Sequence, residues 1–115
     1  MVFEFLKLHK NVTDTEFDTI YPENIKRLAA IHWTPVAVAM QAAEFLADMP
    51  EAKVLDIGSG VGKFCLVGSS MTNGSFTGVE QRSNLHRIAQ DMIRYYRLHN
   101  VKFINSNITE INFKD

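Results

Sequence analysis

Residues 54–66 read VLDIGSGVGKFCL: an apolar run carrying one acid, Asp56, then glycines at 58, 60 and 62, then a second apolar run. Where a strand ends in glycines and opens a helix, free backbone N–H groups and the positive end of the helix dipole face whatever lies above the sheet edge. Glycines let that group come close, because no side chain stands in the way. A second acid, Glu80, closes the stretch SFTGVE and lies 22 residues beyond Gly58. That separation, at a strand's C-terminal end, suits a carboxylate that accepts both hydroxyls of a ribose, as an acid does in dinucleotide folds. The chemistry on offer is recognition of a nucleoside.

Two familiar glycine patterns fail on counting. A P-loop ending at Gly62 and Lys63 would need a glycine at 57 and a hydroxyl at 64, where the chain has Ile57 and Phe64. The dinucleotide fingerprint, counted from Gly58, needs a sixth-position glycine and meets Lys63. What fits is acid-x-Gly-x-Gly-x-Gly, and with GVEQR at 78–82 the stretch resembles the class I S-adenosylmethionine-dependent methyltransferases. The resemblance covers residues 34–112. It implies a Rossmann-like fold, S-adenosyl-L-methionine as cofactor, and methyl transfer by in-line displacement to an acceptor that the sequence does not identify. Small molecules, proteins and nucleic acids all remain open as that acceptor, and no catalytic residue is assigned. Carried over position by position, the resemblance places the cofactor's methionine end across Asp56, Gly58, Ser59, Gly60 and Gly62. Its ribose falls on Glu80 and its adenine near Gln81, Asn107 and Ile108. Two other functions share these features: a nicotinamide-dependent oxidoreductase, and a binding module for the same cofactor that transfers nothing.

Each of these residues also has a plainer reading. Asp56 could cap the following helix, although a charge within an apolar strand is costly to bury without a partner. Glu80 could pair with Arg82, a contact worth little on a wet surface. Cys65 reads as a small core residue, one turn into a helix. His9, His32, His86 and His99 show no metal-ligand spacing, and Arg82, Arg87, Arg94 and Arg97 read as the wet face of a helix. Trp33 is either a core aromatic or a cover over the cofactor, with the core reading favoured.

The elements that must position these groups follow from periodicity. KVLDI (53–57), SFTGVE (75–80) and VKFIN (101–105) are short apolar runs suited to strands of a parallel sheet, the first expected to be buried. VGKFCLVGSSM between the first two reads as a helix whose Gly68 allows close packing on the sheet. From Asn84, Leu85, Ile88, Ala89, Met92, Ile93 and Tyr96 keep helical spacing. Strand, helix, strand, helix, strand specifies a doubly wound α/β fold with right-handed crossovers. Upstream, TDTE from Thr13 is a capping box, Pro22-Glu23 a second helix start, and Thr34-Pro35 a cap opening a helix that ends near Pro50. The opening MVFEFLKLHKNV mixes periods and reads as a short strand or an irregular arm.

At 115 residues with 46% hydrophobic content, one cysteine and net charge -1, the chain has an ordinary globular composition. It lacks the blanket basic field of non-specific nucleic-acid binders. No membrane association and a cytoplasmic location are expected. The organisation expected is a helical extension, 1–33, before the cofactor-binding half of a methyltransferase domain, 34–115. Such domains generally have about seven strands, so the sequence is expected to be part of a longer protein and inactive by itself. The strand carrying Asp56 would then lie at an exposed sheet edge open to self-association.

Overall fold

The computed structural model describes residues 1–110. Its centre is a parallel sheet in the order β1 (Lys53–Ile57), β2 (Ser75–Glu80), β3 (Val101–Asn105). The three strands have the predicted bounds, and the connections between them are α5 (Lys63–Met71) and α6 (Ser83–Tyr96). The register sets Val54 beside Phe76 and Phe76 beside Val101, then Asp56 beside Gly78 and Gly78 beside Phe103. This row and its neighbour face the helices. Gly62, just before α5, has Phe103 and Ala89 of α6 against its Cα, so both crossover helices meet on the Phe103 face. Gly68 lies against the Phe76 ring, the close helix–sheet approach its position predicts.

The other face carries Leu55, Thr77 and Lys102 in one row and Ile57, Val79 and Ile104 in the next. Strand order running in one direction with right-handed crossovers puts every connecting helix on the same side. β1 is therefore buried on one face only: Leu55 is 44% and Ile57 58% exposed. The expectation that this strand is buried is corrected to that extent, and its position at the edge of the sheet is as expected.

Four helices precede the sheet: α1 (Val2–Lys7), α2 (Asp14–Asp18), α3 (Glu23–His32) and α4 (Val36–Leu46). The opening residues, predicted as a strand or irregular arm, are helical because Phe3 and Leu6 share a face that joins the core. α2 has the predicted capping box, with Thr13 Oγ1 accepting from the Glu16 N–H and Glu16 Oε1 accepting from the Thr13 N–H, each at 3.1 Å. α4 departs from expectation at both ends. It stops at Leu46, and Thr34 does not cap it; the Val36 N–H donates instead to Asp14 Oδ1 at 2.8 Å. Val36, Ala39 and Ala43 face inward, with Phe17, Tyr21, Leu66 and Phe76 in the same core. Among the described residues no helix is long and apolar enough to cross a membrane.

Candidate functional site

The turn between β1 and α5 is tied down by its own amides. The N–H groups of Gly58 and Ser59 donate to the Val79 carbonyl at 2.8 and 3.0 Å, and that of Gly62 to the Ser59 carbonyl at 2.9 Å. The Gly60 N–H donates to Glu80 Oε1 at 2.8 Å. These four amides are engaged within the chain, so the turn presents a bare surface rather than the row of free donors expected of it. The three glycines also serve different neighbours. A Cβ at Gly60 would overlap the Trp33 indole and one at Gly62 the Phe103 ring, whereas one at Gly58 would meet nothing within 4 Å. Only Gly58 faces open space.

Glu80 is 3% exposed at the end of β2. Besides the Gly60 amide, it accepts from the Arg82 N–H at 3.0 Å and from Arg82 Nε at 2.8 Å, both through Oε2. Of the readings given to it from sequence, the pairing with Arg82 is present, and the carboxylate also reaches the glycine turn. Burial pushes its carboxyl up, but the Arg82 guanidinium and the backbone N–H groups of Arg82 and Gly60 outweigh this and hold it below the usual glutamate value. Asp56 has the opposite balance. Burial first, and the nearby Glu80 charge second, raise its carboxyl above the usual aspartate range.

A cavity of about 360 Å³ opens beside this pair, lined by Ile57, Gly58 and Val79, by Glu80, Gln81 and Arg82, and by Ser106, Asn107 and Ile108. Of the residues singled out from sequence, Gly58, Glu80, Gln81, Asn107 and Ile108 converge on it. Ser59, Gly60 and Gly62 lie behind it as buried parts of the turn, and Asp56 stands on the helix-covered face of β1, beside Gly78. Asn107 Oδ1 accepts from both the N–H and the Oγ1 of Thr109 at 3.1 Å, so its carbonyl is engaged and its amide is the group left to donate. Cys65 is buried, and burial together with the Asp56 charge raises its thiol, which fits the core role given to it.

Sequence reasoning missed Asn105. Its Nδ2 donates to the Glu80 carbonyl at 2.9 Å and so joins the ends of β2 and β3 beneath the cavity. It also missed Lys63, 2% exposed, whose Nζ lies 2.8 Å from Asp14 Oδ1 and 2.9 Å from Asp18 Oδ1. The available signal was a lysine at the first position of a helix with an apolar start, with two acids four residues apart on a short upstream helix.

A family model described as protein-L-isoaspartate(D-aspartate) O-methyltransferase (PCMT) matches residues 10–109. No curated protein matches the sequence. Solved structures share the fold at low identity. A proposed caffeoyl-CoA O-methyltransferase from Staphylococcus aureus is 14% identical at a TM-score of 0.67, over 95% of this chain and 51% of that one. YcgJ from Bacillus subtilis is 22% identical at 0.59, over 69% of this chain and 33% of that one. Coclaurine N-methyltransferase, in a complex with N-methylheliamine and SAH, is 22% identical at 0.61, over 70% and 24%. The chain thus spans between a quarter and about half of these structures, and its three strands are an incomplete Rossmann-like methyltransferase sheet. With 100 of its 115 residues inside the family match, the chain belongs to the protein-L-isoaspartate(D-aspartate) O-methyltransferase family.

Proposed function

We propose that this chain is the S-adenosylmethionine-binding part of a methyltransferase, with residues 34–115 forming the cofactor half and residues 1–33 a helical extension. The carrying observation is the buried Glu80 carboxylate, anchored on the Gly60 amide in the wall of a cavity lined by Gly58, Gln81, Asn107 and Ile108. Those residues suit a nucleoside. The Arg82 side chain donates to both Glu80 oxygens, so vicinal hydroxyls would take its place there; Gly58 leaves space above the turn, and the Asn107 amide can donate to a ring nitrogen of adenine. Gln81 and Ile108 would flank the base, while Ser59, Gly60 and Gly62 shape the turn beneath it. Asp56, with no charged partner among the described residues, suits the ammonium of the methionine end.

When bound, S-adenosylmethionine supplies a methyl already activated by its sulfonium. The chain's own contribution is to bind and orient. Glu80 and the turn fix the nucleoside, and the Trp33 indole over Gly60 keeps water from one side of the turn. The methyl acceptor is unidentified; the family description names an isoaspartyl acceptor, which belongs in any panel of small molecules, peptides and nucleic acids tested. A cytoplasmic location fits a single cysteine, which cannot form an internal disulfide.

Calorimetry and thermal shift with S-adenosylmethionine, its demethylated product and NAD test the reading. The first two should bind and stabilise while NAD does not. Glu80→Ala should weaken binding about 100-fold, as loss of two charge-assisted hydrogen bonds at ~1.5 kcal/mol each implies. Stabilisation by NAD alone, or equal binding by Glu80→Ala, would overturn it.

A further inference from the structure

The groups that hold the glycine turn from behind come from the N-terminal segment. Lys63 follows the last glycine directly, and its ammonium is enclosed by Asp14 and Asp18 of α2 with the Phe17 ring 5.8 Å away. One residue of the turn further back, the Val61 carbonyl accepts from Tyr21 Oη at 3.0 Å, a buried bond across 40 residues of sequence. Asp14 has a second task. The same Oδ1 that meets Lys63 accepts from the Val36 N–H, so a single oxygen fixes the start of α4 and the start of α5 together. The segment entering α4 carries Trp33, whose indole lies on Gly60.

We infer that Asp14, Asp18, Tyr21 and Lys63 are positioning residues for the cofactor turn, making the N-terminal helices part of the binding site's construction. The inference rests on the cofactor reading above for its ligand, but the geometry it describes is independent of any ligand. Removing a hydroxyl or a charge from this cluster releases the turn on the side away from the cavity. Gly60 then loses its fixed height relative to Glu80 and Trp33. None of the four residues lines the cavity, so an effect on binding has to be transmitted through the turn.

The test has two readouts on the 115-residue chain. Trp33 is its one tryptophan, so acrylamide quenching reports directly on the contact with Gly60. S-adenosylmethionine affinity is measured by calorimetry well below each variant's Tm. Tyr21→Phe and Asp14→Asn should each raise the quenching constant about twofold and weaken the cofactor about tenfold. Met71→Ala, a core change at the far end of α5, is chosen for a comparable loss of Tm and should alter neither. Lys63→Met combined with Asp18→Asn, which removes both charges together, should keep the chain folded yet bind as weakly as Asp14→Asn. Should Tyr21→Phe and Asp14→Asn match Met71→Ala in both readouts, the inference is wrong. If the unaltered chain binds no S-adenosylmethionine, the cofactor reading fails instead, and quenching alone decides whether the cluster positions the turn.

Discussion

The glycines of the turn separate space from backbone conformation. Gly58 and Gly62 have φ of +75° and +83°, a region that costs an L-residue roughly 1–2 kcal/mol. They share that strain but differ in surroundings, since a methyl at Gly62 strikes Phe103 and one at Gly58 enters open space. Gly62→Ala should therefore lower Tm by about 10 °C more than Gly58→Ala, as ~2 kcal/mol of overpacking implies for a domain of this size. Gly58→Ala should stay folded and lose cofactor affinity; equal Tm losses would show that the Phe103 contact gives way freely. The acids make a pH prediction of definite sign. Glu80 and Asp14 are held below their ordinary values, Asp14 because the Lys63 ammonium and the Val36 amide outweigh its burial. A carboxyl depressed in the folded state binds fewer protons there than in the unfolded chain, so its stabilisation is complete above its ordinary value. It disappears as pH falls through the depressed one. Asp56 is raised and works the other way, opposing folding once it ionises above the ordinary value. Thermal denaturation should thus show stability falling below about pH 4.5, the ordinary glutamate value. Glu80→Gln should flatten that fall, and an unchanged slope would remove Glu80 from the account.

The same contrast between local and distant information explains what could be read at the level of elements. β1, β2, β3 and the α2 cap were legible to the residue because each depends on a short stretch: an apolar run with β-branched members, or Thr13 with Glu16. The cavity wall at Gly58, Glu80, Gln81, Asn107 and Ile108 was reached through the family resemblance, and parallel strands bring those C-terminal ends to one edge. What escaped depends on partners far away in sequence. The cap of α4 comes from Asp14, 22 residues upstream of Val36, so the local Thr34 looked sufficient. Lys63 entered the sequence reading only where two glycine patterns fail, because the acids that enclose it lie 45 and 49 residues earlier. Burying that lysine makes a one-sided change expensive. Asp18→Ala leaves an ammonium at 2% exposure with Asp14 as its one carboxylate and two of its N–H donors short of a buried partner, which should cost about 1–3 kcal/mol. Lys63→Met with Asp18→Asn should cost less, since the one charge it leaves without a partner, on Asp14, is 45% exposed to water. Denaturant titration of the two variants checks this, and equal losses would mean that the cluster contributes packing rather than charge. Asn105 belongs to the same class, an amide whose purpose is visible only when β3 lies beside β2.

At the scale of the whole molecule, helices cover one face of the sheet and the described residues leave the other largely open. β1 contributes an edge that has no partner strand beyond it among the described residues, with Leu55 outward and exposed. On α4, Val38 and Phe45 lie opposite the buried Val36, Ala39 and Ala43, Phe45 is 82% exposed, and Met49 just beyond the helix is exposed as well. Apolar surface beside an unpaired strand edge drives association, because burial against another molecule recovers both the transfer free energy and the missing hydrogen bonds. We expect the 115-residue chain to self-associate with rising concentration and to unfold less cooperatively than a seven-stranded relative. Leu55→Lys places a charge on the edge, the device natural sheets use against pairing, and Phe45→Glu places one on the exposed side of α4. Neither side chain belongs to the core, so the double variant should keep the Tm of the parent while shifting sedimentation toward monomer. A parent chain that is monomeric from micromolar to millimolar concentration and unfolds in a single cooperative step would show that the open face is tolerated in water. A double variant that loses Tm would show instead that Leu55 or Phe45 supports the fold.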